Sequence, residues 1–120
     1  MAVRGVRGAT CLAHDERDEM SAAVVELLLT MLERNALTEA DLISVLFTAT
    51  PDLTCMFPAA AAREAGLADV PLICATEINV DGALPRTVRI LMHVETSRTR
   101  ADVTHVYLRG AEVLRQDLQR

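Results

Sequence analysis

The sequence predicts an α+β fold, in which a mixed β-sheet of about five strands is backed by one long helix. Two observations carry this prediction. One stretch repeats its apolar residues at intervals of three and four, which is typical of a helix with one buried face. Several shorter stretches are rich in β-branched residues and alternate or run apolar, which is typical of strands. No repeat and no glycine- or serine-rich linker interrupts the chain, so residues 1–120 are expected to form one domain.

The first strand and the long helix come from the N-terminal third of the chain. Residues 3–10 predict a short strand. Asp15 is a suitable cap for the helix that follows, acidic residues occupy its first turn, and Asn35 ends it. Its apolar stripe must lie on a sheet, and it consists of Met20, Ala23, Val24, Leu27, Leu28, Met31 and Leu32.

A second strand and a short helix follow. Thr38 and Asp41 predict a capping-box turn, after which an apolar, β-branched run extends to Pro51 as a central strand. Pro58 suits the first position of a short helix, and Gly66 is well placed to close it.

The last part of the chain predicts three more strands, at residues 70–79, 86–95 and 103–109. Asp81 and Gly82 begin a turn between the first two, which indicates a hairpin. The predicted order of elements is therefore β-α-β-α-β-β-β.

Only one face of such a sheet is covered by a single long helix. Apolar stretches such as residues 43–47 are expected to leave the other face partly apolar, which favours self-association. The polar tail from Gly110 is expected to be loosely held until a ligand binds.

Composition and charge exclude several classes of protein. The net charge is −5 and there are only three aromatic residues, which argues against a nucleic-acid surface. The chain contains no lysine, so Schiff-base chemistry on a lysine is excluded. Three widely spaced cysteines predict no disulfide framework. Because no apolar signal core or membrane-spanning run is present, we expect a cytoplasmic protein that does not bind membranes.

The motifs that usually mark a metal, a nucleotide or a covalent nucleophile are missing from the sequence. His14, His93 and His105 do not have the spacing of metal ligands on one element, and no phosphate-binding glycine loop or Cys-His pair is evident. We interpret these histidines as surface or structural residues, and we expect neither a metal nor a cofactor.

Arginines are the remaining candidates for chemistry. In T-V-R-I-L-M-H-V, residues 87–94, alternation separates Arg89 from Val88 and Ile90 and places it near apolar neighbours. Arg7 has a similar position in the first strand. A guanidinium in apolar surroundings requires an anion to offset its desolvation, and arginine binds carboxylates with two parallel hydrogen bonds. A small polyanionic ligand would explain these arginines, and a solvated surface position is the alternative explanation for each of them.

Cys74 and Glu77 lie three residues apart in the predicted third strand, so their side chains point to opposite faces. If both contact one ligand, two subunits must contribute to the site.

Seven motifs together resemble a known family. They are R-G-V-R-G-A-T at the start, T-A-T-P-D-L and F-P-A-x-A-x-R-E in the middle, C-x-x-E, R-x-x-M-H-V, H-V-Y-L and the tail A-x-V-L-R-x-D-L. This set is similar to the AroH-type monofunctional chorismate mutases, and the resemblance covers nearly the whole chain as a single chorismate mutase domain.

The resemblance implies a chorismate-mutase or ferredoxin-like sheet, assembled into a homotrimeric pseudo-barrel with active sites between subunits. It implies an isomerase that converts chorismate to prephenate by an intramolecular Claisen rearrangement, on the shikimate route to phenylalanine and tyrosine. Such a reaction requires no cofactor, which agrees with the missing nucleophile.

The resemblance also implies a role for each matched residue. Arg89 would stabilise negative charge on the ether oxygen, Arg7 and Tyr107 would hold a carboxylate, and Glu77 would bind the ring hydroxyl. The substrate-binding residues that it implies are Phe57, Ala59, Arg63, Ile73, Cys74, Ala75, Thr76, Leu114 and Arg115. One subunit would supply the group around Phe57 and Cys74, and its neighbour the group around Arg89.

Two other functions would suit a trimeric fold of this kind. One is an imine deaminase of the RidA type, which also holds a carboxylate with an interface arginine but has different motifs. The other is a non-catalytic trimeric module that binds a metabolite, which would need Arg7 and Arg63 but not Arg89. The combination of Arg89, Glu77 and Tyr107 favours the mutase over both.

Overall fold

A computed structural model describes residues 1–118 of the chain. The strands are β1 (Ala2–Cys11), β2 (Leu42–Ala49), β3 (Leu72–Thr76), β4 (Thr87–Thr96) and β5 (Val106–Leu108). The helices are α1 (Arg17–Arg34) and α2 (Pro58–Glu64), and short 3₁₀ turns lie at Glu39–Asp41 and Arg100–Asp102. Residues Ala111–Leu118 form an irregular 3₁₀ stretch, hereafter the C-terminal segment. The predicted order of elements is confirmed, although β3 and β5 are shorter than predicted because their ends lack pairing partners.

The sheet is mixed, with the strand order β3-β2-β4-β1-β5. β3 runs parallel to β2 and β5 runs parallel to β1, whereas β4 is antiparallel to both of its neighbours. The predicted hairpin between the third and fourth strands is wrong, because residues 77–86 carry the chain past β2 and β4 inserts between β1 and β2. This connectivity also differs from the β-α-β-β-α-β order of a ferredoxin-like fold, so that part of the predicted fold class does not hold.

Two helices, and not one, cover the same face of the sheet. The predicted apolar stripe of α1 is buried against the strands, except that Leu32 at its end is only partly buried. α2 adds Ala59, Ala61 and Ala62 to the same core. Alanine side chains are small enough for a helix backbone to approach α1 and the strands closely, which explains why so short a helix packs here.

Both ends of α1 are held by side chains. Glu16, and not the predicted Asp15, caps the N-terminus, since its carboxylate accepts the backbone N–H groups of Asp18 and Glu19. Asn35 ends the helix as predicted. Its buried amide binds both backbone groups of Thr104 at 2.8 Å, which fastens α1 to the segment that leads into β5.

Gly8 allows α1 to lie close to β1. A Cβ atom at this position would clash with the Sδ atom of Met31 and would lie 3.2 Å from Leu27 Cδ1. The second glycine of the R-G-x-R-G motif is therefore required for packing.

The sheet face opposite the helices, hereafter the open face, carries both apolar and polar side chains, among them the exposed Ile73 and Val3. Within residues 43–47, Val45 and Phe47 are buried on the helix side, whereas Ser44 and Leu46 lie on the open face. The C-terminal segment covers part of this face, because Ala111 is buried and Leu114 packs against Ala9 and Tyr107. The expectation of a loosely held tail therefore does not hold for these residues.

None of the helices in residues 1–118 combines the length and apolar character that a bilayer span requires.

Candidate active site

Three polar side chains from neighbouring strands meet on the open face. Thr48 of β2 lies opposite Arg89 of β4 in the strand register. Glu77 follows β3 directly, and its backbone N–H donates to Ala49 O at 3.0 Å. The Oε2 atom of Glu77 lies 3.0 Å from Arg89 Nε and accepts the Thr48 hydroxyl at 2.6 Å. The sheet therefore holds the guanidinium and the carboxylate in a defined orientation.

Arg89 does not occupy the apolar, desolvated surroundings that the sequence indicated. Alternation turns Val88 and Ile90 under the helices, as predicted, but leaves the Arg89 side chain 47% exposed on the open face. Its ion-pair partner Glu77 is more enclosed, with 16% of its side chain exposed. The carboxylate of Glu77, together with solvent, compensates the charge of Arg89.

Arg89 also lines a cavity of about 260 Å³, hereafter the arginine pocket. Its lining residues are Arg7, Gly8, Ala9, Leu46, Thr48, Arg89, Ile90, Leu91, Tyr107 and Arg115. Three arginines from β1, β4 and the C-terminal segment thus surround one cavity. Guanidinium groups in this arrangement suit a small ligand with more than one carboxylate.

The wall of the arginine pocket is rigid at Tyr107. This residue is only 6% exposed and packs against Ala9 and Ala111, with Leu114 beside them. The C-terminal segment therefore helps to set the orientation of the tyrosine ring.

A second cavity of about 690 Å³ contains the other predicted binding residues, and we call it the Phe57 pocket. Phe57, Cys74, Ala75 and Thr76 are among its lining residues. The Phe57 side chain is 71% exposed, which is unusual for an aromatic ring. The two pockets have no lining residue in common. Cys74 packs towards the helix-covered core and Glu77 lies on the open face, in agreement with strand alternation.

Asp15 holds the loop that leads to Phe57. Its carboxylate accepts the backbone N–H groups of Thr54 and Cys55 at 3.0 Å and the Thr54 hydroxyl at 2.8 Å. Hydrogen bonding from the Cys55 and Thr54 side chains, with a smaller effect of their backbone N–H groups, holds the pKa of Asp15 below its ordinary value. Burial and the adjacent Asp15 carboxylate raise the pKa of the Cys55 thiol, which therefore stays neutral at pH 7.

Other predicted binding residues lie apart from the two pockets. Ala59 is buried in the core, and its neighbour Ala60 lines the Phe57 pocket instead, because successive helix residues point in different directions. Arg63 is exposed on the last turn of α2 and lines neither pocket. Ile73 is exposed opposite Leu46, so its side chain lies on the open face, whereas that of Cys74 points to the helix side.

Sequence reasoning missed Thr48, although its hydroxyl donates to Glu77. Thr48 is the first residue of the T-A-T-P-D-L motif, but the motif by itself indicated no partner for its hydroxyl. Only the register of β2 with β4 places it beside Arg89.

Within residues 1–118, no three histidine, cysteine, aspartate or glutamate side chains cluster so that they could hold a metal ion.

Comparisons with known proteins identify the family of the chain. The family model of chorismate mutase type I matches residues 3–118. Chorismate mutase AroH of Thermus thermophilus is 47% identical over 98% of this chain and 97% of its own length. Chorismate mutase AroH of Bacillus subtilis is 40% identical over 98% of this chain and 94% of its own length. A solved structure of a chorismate mutase from Clostridium thermocellum is 44% identical and superposes with a TM-score of 0.90, over 92% of this chain and 98% of that one. The expected family is confirmed, and this chain belongs to the chorismate mutase type I family.

Proposed function

We propose that this protein is a chorismate mutase, an isomerase that converts chorismate to prephenate in the arginine pocket. The observation that carries the proposal is the convergence of Arg7, Arg89 and Arg115 on one cavity, with Glu77 paired to Arg89 at 3.0 Å. The family supports the reaction, and the three arginines suit its dicarboxylate substrate.

The reaction requires no nucleophile and no proton transfer. An ether C–O bond breaks while a C–C bond forms within one molecule, and negative charge builds on the ether oxygen. The protein must therefore hold the folded conformer and stabilise that charge. A rate gain of about a millionfold corresponds to roughly 8 kcal/mol of preferential transition-state binding.

Each residue of the arginine pocket has a distinct role in this proposal. Arg89 contacts the ether oxygen and is held in position by Glu77, whose second oxygen accepts the ring hydroxyl of the substrate. Arg7 and Tyr107 hold one carboxylate. Arg115 faces the same cavity from the C-terminal segment and adds positive charge beside the second carboxylate.

We further propose that the enzyme is a homotrimer in which the Phe57 pocket of one subunit meets the arginine pocket of its neighbour. The separation of the two pockets within one chain supports this arrangement. So do the exposed apolar side chains of Phe57 and Ile73, which a partner would remove from water. The open face would then line a pseudo-barrel, and chorismate would be the substrate of a cytoplasmic pathway to phenylalanine and tyrosine.

The activity is tested by mixing purified protein with chorismate and following the loss of its ultraviolet absorbance while prephenate is assayed. We expect turnover without any added cofactor. Binding of chorismate without turnover would instead favour a metabolite-binding module. The absence of both binding and turnover would also contradict the proposal.

The shared site is tested by mixing two inactive variants, Arg89→Ala and Phe57→Asp, in one oligomer. If sites form between subunits, some sites in the mixed oligomers combine an intact arginine pocket with an intact Phe57 pocket, and activity returns. Each variant alone is the control. If both pockets of one site came from the same chain, mixing would restore nothing.

A further inference from the structure

His105 makes an unusual contact with the backbone of Arg7. The N–H of Arg7 donates to the Nδ1 atom of the His105 ring at 3.0 Å. Pairing between β1 and β5 begins one residue later, at Gly8 and Val106. The imidazole therefore takes the place of a strand carbonyl at the point where the β1–β5 ladder stops.

The residues on both sides of His105 are anchored. Thr104, which precedes it, is bound through both its backbone N–H and its carbonyl to the buried amide of Asn35. Val106, which follows it, is buried in the core. His105 is thus anchored from α1 on one side and from the sheet on the other.

Only an unprotonated Nδ1 can accept the N–H of Arg7. The charged groups around His105 are Arg4, Arg7 and Arg100, which line the same cavity, and Arg115 of the C-terminal segment, whose charge acts on the ring. Burial, followed by the charges of Arg7 and Arg115, lowers the pKa of His105 below its ordinary value of 6.5. The neutral ring is therefore the stable form at neutral pH.

We propose that His105 is a positioning residue for Arg7, in which the neutral imidazole fixes the backbone of Arg7 so that its guanidinium meets a substrate carboxylate in the arginine pocket. This inference rests on the proposed function, since it assigns Arg7 to the carboxylate. Protonation of His105 would remove the acceptor and place a fifth positive charge among four arginines. Substrate binding should therefore weaken in acid as His105 becomes protonated.

Two substitutions separate this role from simple packing. In His105→Asn the amide oxygen can accept the same N–H but does not titrate, whereas His105→Leu keeps the bulk and removes the acceptor. At pH 7.5 we expect His105→Asn to retain a KM within about twofold of the natural protein. His105→Leu should raise KM up to roughly tenfold with kcat little changed, as the loss of one hydrogen bond allows. His14→Asn is the matched control, because His14 is exposed in the bend before α1, and it should leave KM unchanged.

The pH profile supplies the second readout. In the natural protein the contact is fully present above about pH 6.5 and is lost as the pH falls through the lowered pKa of His105, so KM should rise over that range. The rise should be absent in His105→Asn. Equal KM values for the natural protein and His105→Leu would overturn the proposal, and so would equal impairment of the Asn and Leu variants.

Nuclear magnetic resonance tests the same contact without turnover, so failure of the proposed function can be told apart from failure of this inference. The neutral ring of His105 should carry its proton on Nε2, and the amide signal of Arg7 should shift with the titration of His105. A proton on Nδ1, or an Arg7 amide that does not respond, would contradict the inference even in an active enzyme.

Discussion

Arg89 Nε lies 3.0 Å from Glu77 Oε2, a contact that joins β4 to the residue after β3 across the intervening strand β2. Thr48 of β2 donates its hydroxyl to the same carboxylate oxygen at 2.6 Å. Because Arg89 is half exposed, this ion pair contributes little to the free energy of unfolding. Its main effect is to orient a guanidinium towards the arginine pocket.

Replacing Arg89 by alanine should lower kcat by about 100- to 1000-fold with a much smaller change in KM. The reason is that its contact with the ether oxygen strengthens as charge develops in the transition state. Steady-state kinetics with chorismate measure both constants. Arg109→Ala, which breaks the exposed contact with Glu26, is the matched control and should leave kcat unchanged. Comparable effects of Arg89→Ala on kcat and KM would contradict the assigned role.

Arg63→Ala should act on KM more than on kcat. Arg63 is exposed on α2 and lines neither pocket within the chain, so we expect it to meet the substrate at the mouth of the site between subunits. Such a contact is similar in the ground state and the transition state. A fall in kcat as large as that of Arg89→Ala would place Arg63 in the chemistry instead.

Thr48→Val should lower kcat/KM by about 10- to 100-fold, because a hydrogen bond to a charged group contributes roughly 1.5–3 kcal/mol. Without the hydroxyl, Glu77 loses one of the two contacts that orient it. Thr48→Ser keeps the donor and should retain most of the activity. If Thr48→Val and Thr48→Ser lower kcat/KM equally, loss of the hydroxyl does not explain the lower activity.

Asp15→Ala should raise KM by roughly three- to tenfold, because the loop before Phe57 loses the acceptor for three hydrogen bonds. The pKa of Asp15 is lowered in the fold, so its stabilising effect is complete above the ordinary value of 3.8 and is lost as the pH falls through the lower, folded value. Amide hydrogen exchange at Thr54 and Cys55 reports the loop directly. Unchanged exchange at both amides would show that Asp15 does not hold it.

Thr10→Val should increase the free energy of unfolding by about 1 kcal/mol. Thr10 is fully buried, and within residues 1–118 its hydroxyl has no hydrogen-bond partner, which costs free energy that a methyl group avoids. Thr87→Val is the opposite control, because that buried hydroxyl contacts the carbonyls of Leu84 and Pro85 at 3.1 Å. Denaturant unfolding should show that Thr10→Val is more stable than the natural protein and that Thr87→Val is less stable. Destabilisation of both would indicate that Thr10 is held by packing of its hydroxyl.

Local patterns in the sequence were sufficient for the elements and for many of the residues that matter. The three-and-four repeat of α1, the turn at Thr38 and Asp41, and Pro58 at the start of α2 are all confirmed. Each depends on residues within a few positions of one another, which is the range over which backbone geometry and capping act. The motifs also identified the family, because they span nearly the whole chain.

The surroundings of the site depended on contacts between distant parts of the chain. Period-two alternation correctly separated Arg89 from Val88 and Ile90, but it could not show that Arg89 is half exposed or that Glu77 is its partner. Likewise, the hairpin predicted before β4 was wrong, because local turn residues do not show which strand will be the neighbour.

The sequence by itself determined the elements, the buried stripe of α1, the arginine set and the family. Only the tertiary structure decided that β4 lies between β1 and β2, and that Thr48 donates to Glu77 across 29 positions of sequence. It also decided that His105 holds Arg7 across 98 positions. The physical reason is that side-chain periodicity is a property of the local backbone, whereas strand order and register follow from packing the whole sheet under two helices.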